Sequence, residues 1–156
     1  MQRTLKTDPK AAHLGTIAAC LGYRSHPEPG DPDSNSATWK EDEAFFLAEA
    51  LKGDGTWFGK LMADHTALDW RDAIVQSFAT QTGSTTRVLI VASTRSGCFP
   101  AAGPMSVVEL VNGKKGEEGK ALARGVVVEW GGHWCYWEKP DLFNELVLGF
   151  LGGDEG

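Results

Sequence analysis

The sequence has no apolar run approaching the ~18 residues of a membrane span, so no transmembrane helix is expected from it. It also lacks an excess of positive charge. Its 21 acids against 15 bases leave a net charge of −6, which offers no broad positive field to nucleic acid or to an anionic membrane surface. Cysteine is scarce. Cys20, Cys98 and Cys135 are odd in number, widely spaced and in no zinc pattern, which argues against a disulfide framework. That usage predicts a reducing, cytoplasmic setting. Ile17-Ala18-Ala19-Cys20 looks like a lipoprotein cleavage site, but Asp8, Pro9, Lys10 and His13 deny the preceding segment the apolar stretch of a signal peptide. Internal repeats, low-complexity tracts and phosphate-binding glycine patterns are missing as well. What is present is a globular composition, 42% hydrophobic and 23% charged, in 156 residues, the size of one domain. Six tryptophans are many for that length.

The first half reads as short helices. Pro9 suits a first helical turn, and Ala11, Ala12, Leu14, Ile17, Ala18 and Leu21 give an apolar face to a helix over about 9–21. Residues 25–38 hold three of the seven prolines and read as a loop or linker. Thr38, with Glu41 at the capping-box position, predicts the start of a helix reaching about Lys52. Its Ala44, Phe45, Leu47, Ala48 and Leu51 follow the 3.6-residue period. A helix over about 56–65 is expected next, with Trp57, Phe58, Leu61 and Met62 on its buried side. A third, over about 70–79, carries Ile74, Val75 and Phe78.

The second half changes period. RVLIVAS over 87–93 and GVVVEW over 125–130 are continuous β-branched runs, as strands buried on both faces of a parallel sheet require. Between them, 104–112 predicts a helix ended by Gly113, and 113–124 a polar loop in which Glu117 and Glu118 interrupt Lys114, Lys115 and Lys120. Gly131-Gly132-His133 predicts a turn, and 139–151 an amphipathic helix. The order strand–helix–strand–helix implies right-handed crossovers and a parallel pair. The expected fold class is therefore α/β. It is a single partial domain: a poorly assigned helix and linker over 1–37, lid-like helices over 38–80, and a parallel βαβα unit over 86–151. Two parallel strands want neighbours, so the unit reads as the end of a larger sheet. Its open apolar edge predicts pairing, either as a homo-oligomer or with a missing N-terminal half.

These residues carry a resemblance. VLIVASTRSGCFP over 88–100 resembles the penultimate core strand and acid loop of an α/β-hydrolase. VVVEWGGHW over 126–134 is similar to the last strand and the catalytic-histidine turn. EKPDLFNELVLGFL over 138–151, with its Glu-x-Pro, Phe, Asn and terminal Phe-Leu, is similar to the closing helix. Asp69-Trp70-Arg71-Asp72 resembles the stretch leading from the lid helices into the penultimate strand. The likeness covers about 65–151, and 38–64 fits only as a generic lid. It implies a partial α/β-hydrolase fold, with full-length relatives hydrolysing small esters or thioesters through an acyl-enzyme and a histidine base, with no cofactor. The G-x-S-x-G turn that presents the family's nucleophile is absent here, as is the oxyanion loop. The implied function is thus a truncated, esterase-like hydrolase relative, inactive alone. The alternative is a pseudoenzyme that binds a small molecule or oligomerises.

His133 stands where the resemblance puts the general base; the bland reading is a structural histidine in a tight turn. Ser96 stands where the resemblance puts the acid, and a serine cannot hold an imidazolium by charge. Asp69, with Asp72 and Glu129 behind it, is a weak alternative acid. Cys98, just past the first strand, shares the C-terminal sheet edge with His133, which suggests a Cys–His nucleophile and base. The bland reading, a small packing residue in its turn, is the one favoured, since free cysteines are mostly buried and inert. Trp134, Trp137 and Phe99 are the expected binding residues for a small apolar ester-like ligand; with Trp130 and Tyr136, the two tryptophans also read as core aromatics. His13, His26 and His65 share no metal spacing.

Overall fold

A computed structural model of the chain describes residues 7–27, 36–79, 86–113 and 122–153. The proline-rich part of the expected linker and most of the Lys/Glu loop lie outside the described residues. The order is α1 (Pro9–Cys20), α2 (Gly22–Ser25), α3 (Ser36–Ala50), α4 (Gly55–Ala67), α5 (Arg71–Ile74) running into a π-helical turn (Val75–Ala79), β1 (Val88–Ser93), α6 (Ala102–Asn112), β2 (Ala123–Val128), α7 (Cys135–Glu138) and α8 (Pro140–Gly152). Among the described residues no helix is long and apolar enough to cross a membrane.

The parallel pair is formed, with β1 and β2 in register from Val88 opposite Ala123 to Ser93 opposite Val128, and α6 as the crossover. The fold is thus mixed helix and sheet, with two parallel strands among the described residues. Local chemistry sets the boundaries. Asp8 accepts from Ala11 N–H at 3.0 Å and opens α1 next to Pro9. Asp54 accepts from Thr56 N–H at 2.7 Å and lets α4 begin at Gly55. Ile17, Leu21 and Tyr23 form a buried cluster, with Trp39, Phe46, Leu47 and Trp134 packed on it, so α1 and α3 share one core.

Several expectations need correction. α3 begins at Ser36, two residues before Thr38, and stops at Ala50. Trp57 and Leu61 are 67% and 63% exposed rather than buried, and Phe58 is also exposed. The Lys60 ammonium covers Trp57 at 4.6 Å, and Phe58 lies over Gly53 and meets the ring of His13 edge-on. The strands are not buried on both faces, since β2 alternates and Val127 is exposed. β2 also lies two residues earlier than expected, with Arg124 inside it. The reason is Asn112, whose amide donates to Ala123 C=O at 2.7 Å and accepts from Ala123 N–H at 3.0 Å. This bracket fixes the start of β2 against the end of α6. Asn112→Ala is expected to cost about 2 kcal/mol, the loss of two partly buried hydrogen bonds. A lower urea midpoint with an unchanged slope would show it.

Candidate functional site

The ends of both strands meet at one edge. Ser93, buried at the end of β1, donates its hydroxyl to Gly131 C=O at 2.6 Å and accepts from Arg95 N–H at 3.0 Å. Gly131 has φ +64°, the left-handed region, and a Cβ there would lie 2.8 Å from Cys135 Cα. Gly132 N–H donates to Glu138 Oε1 at 2.6 Å, and Gly22 N–H reaches both Glu138 oxygens at 3.0 Å. Trp134 N–H donates to Cys20 C=O at 3.1 Å. The turn that presents His133 is therefore held from β1, from the α1–α2 junction and from α7.

His133 is exposed on its outer side. Its Nδ1 lies 3.4 Å from Ser96 Oγ, and its ring centroid lies 5.7 Å from that of Phe99. Desolvation on the inner side holds the imidazole pKa below its ordinary 6.5, so the ring is neutral at pH 7. Ser96 Oγ already accepts from Cys98 N–H at 3.3 Å and from Phe99 N–H at 3.2 Å. Both its lone pairs are taken, so its own O–H is what remains for Nδ1. A serine O–H directed at Nδ1 goes with the neutral tautomer that carries its proton on Nε2.

The other predicted residues fall elsewhere. Cys98 does not pair with His133: its Sγ lies 3.4 Å from Cys20 Sγ, across 78 residues of sequence. Asp69 accepts Arg71 N–H at 3.1 Å and binds the guanidinium in a fork, which holds its carboxyl down at about 2. Its hydrogen bonds run to Arg71 and not to His133; Asp72 and Glu129 are exposed. Trp134 and Trp137 turn toward α3. Trp134 packs on Phe46 at 4.5 Å, and Trp137 stacks on Phe45 at 5.4 Å while donating its indole N–H to Asp42 at 3.1 Å. Phe99 alone of the three expected binding residues has a ring contact with His133, and it also reaches His65 at 6.5 Å.

Sequence reasoning passed over Ser93, Cys20 and the structural part played by Glu138. Glu138 had one visible signal, its place in Glu-x-Pro after the histidine turn. A cleft of about 450 Å³ lies at the starts of α1 and α4, with Pro9, His13 and Asp54 in its wall and none of the His133 edge. Among the described residues no three His, Cys, Asp or Glu side chains come together as a metal site. Compared with known protein families, with curated proteins and with solved structures, the chain matches none.

Proposed function

We propose that this chain is an α/β-hydrolase relative carrying the histidine half of an esterase-like site, and that it does not hydrolyse esters by itself. The observation that supports this reading is Ser96 Oγ 3.4 Å from His133 Nδ1, at the C-terminal edge of a parallel strand pair. In a working triad an acid accepts Nδ1–H, which leaves the Nε2 lone pair free to take the nucleophile's proton. Here the serine donates instead, so Nε2 carries the proton and the ring cannot act as base there. The sequence also holds no G-x-S-x-G nucleophile.

The same tautomer favours a second reading, a non-catalytic binding site. A protonated Nε2 on an imidazole whose ring lies 5.7 Å from that of Phe99 suits the carbonyl oxygen of a small apolar ester-like ligand: one donor near one flat apolar wall.

Two measurements test the proposal. A fluorophosphonate probe is expected to leave the pure protein unlabelled, and a short-chain aryl ester unhydrolysed. Stoichiometric labelling, or turnover abolished by His133→Ala, would overturn the reading. In NMR titration His133 is expected to titrate below 6.5. In Ser96→Asp a carboxylate beside Nδ1 should bring the pKa above 6.5 and move the neutral proton to Nδ1. A His133 titration and tautomer indifferent to that substitution would show that Ser96 does not occupy the acid's place.

A further inference from the structure

We propose that Cys20 and Cys98 form a reversible dithiol–disulfide site that low-molecular-weight disulfides oxidise. This inference rests on neither reading of the histidine site.

The two thiols come from segments with no sequence relation, yet their sulfurs are 3.4 Å apart. Closing to a bond of about 2.05 Å requires a movement within the reach of small side-chain rotations. The backbones are held at a fixed distance. Gly97 N–H donates to Ala19 C=O at 3.1 Å, so the residues just before the two cysteines are joined directly. A Cβ on Gly97 would sit 2.7 Å from that carbonyl oxygen, so glycine is what permits the approach. A second clamp lies beside it. Ser25 Oγ donates to Arg95 C=O at 3.0 Å, and Arg95 Nη2 donates to His26 C=O at 3.0 Å. Separating the thiols means breaking this whole seam.

The two cysteines differ in access. Cys98 is half-buried in the turn after β1, and Cys20 is buried at the end of α1. Burial, reinforced by the Cys98 contact, pushes the Cys20 thiol pKa up. Cys98 is therefore the point of entry and Cys20 the resolving thiol. The Cys98 thiolate attacks one sulfur of a disulfide R–S–S–R. A Cys98–S–S–R bond forms, the reagent's own S–S bond breaks, and R–S⁻ leaves and takes up a proton. The Cys20 thiolate then attacks the Cys98 sulfur and expels the second R–S⁻. The protein loses two protons and two electrons, and the reagent takes up both to become two thiols. The new bond ties the end of α1 to the turn whose Cys98 N–H supports Ser96. Cys135, buried in α7, is the internal control.

The test uses the folded wild-type chain and oxidised glutathione. Trypsin, cutting after Lys10, Arg24, Arg95, Lys114 and Arg124, puts each cysteine in a separate peptide. The expected product is one intramolecular link between the Cys20 and Cys98 peptides, with Cys135 still alkylatable, and reversal by dithiothreitol. The link should raise Tm by about 5–10 °C, from the reduced freedom of an unfolded chain closed into a long loop. Cys98→Ser should leave Cys20 unreacted, and Cys20→Ser should stop at a glutathione adduct on Cys98. Accumulation of that adduct on the wild-type protein would overturn the proposal. So would a link through Cys135, or a Cys20–Cys98 link that forms only after urea unfolding.

Discussion

Gly132→Ala is expected to leave little folded protein at room temperature. A Cβ at that position would lie 2.2 Å from Gly22 N, 2.5 Å from Cys20 O and 2.7 Å from Gly22 Cα. All three are backbone atoms, so no side chain can rotate away. The approach is mutual, because a Cβ on Gly22 would lie 2.6 Å from Gly132 N. Two main chains pass here with no room for one carbon between them. Relieving the clash means pulling 20–22 away from 131–134. That breaks the Trp134–Cys20 backbone bond and separates the two glycines that Glu138 joins. A loss above about 4 kcal/mol follows, against a typical total stability of about 5–15 kcal/mol. Gly15→Ala and Gly152→Ala serve as controls: both sites are helical, with open space where the Cβ would go. They are expected to be neutral or to stabilise by about 0.5–1 kcal/mol. Urea melts of the three variants check this, and a wild-type midpoint for Gly132→Ala would mean that the two segments do not close on each other.

That junction also shows where sequence reading runs out. β1, α6 and β2 were legible because each is specified locally, by a β-branched run, a helix stop at Gly113 and a second β-branched run. The boundary of β2 was not, because it is set by Asn112 reaching across to Ala123. The stripe Trp57, Phe58, Leu61 and Met62 has the period of a buried helix face. Period reports a face and not a partner, and Trp57 and Leu61 stay exposed. At the site, His133 was singled out by the resemblance that its Gly-Gly-His turn, between a strand and a helix, carries. Proximity to Ser96 followed from topology, since parallel strands end at a common edge. The partner of Cys98 could not follow in the same way. It lies on α1, 78 residues away, and is brought in by the Gly97–Ala19 seam, which leaves no local mark in the sequence.

Glu138 anchors that same junction, and Glu138→Ala is expected to destabilise the fold more than any cap substitution. Its carboxylate accepts Gly132 N–H at 2.6 Å and Gly22 N–H at 3.0 Å. Truncation orphans both donors at about 1–3 kcal/mol each, for a total of about 2–6 kcal/mol. Glu138→Gln keeps one carbonyl oxygen for them and is expected to cost less. The pH dependence separates the two kinds of loss. Burial raises the Glu138 carboxyl pKa above its ordinary 4.5 and outweighs the N–H bonds that favour the ion. The folded chain therefore keeps this proton at a pH where the unfolded chain has released it. Between 4.5 and the raised folded value the folded state binds more protons, so this group's contribution to stability falls as pH rises. Below 4.5 both states are protonated, and above the folded value both are ionised, so the contribution is flat on either side. Glutamine cannot titrate. The stability difference, wild type minus Glu138→Gln, is thus expected to shrink as pH rises through that window and to be level outside it. Urea midpoints measured for both proteins across the window give the difference directly, with every other carboxylate cancelling between them. A difference that grew with pH would mean that the ionised carboxylate is the form the junction prefers, and that the backbone N–H bonds outweigh its burial.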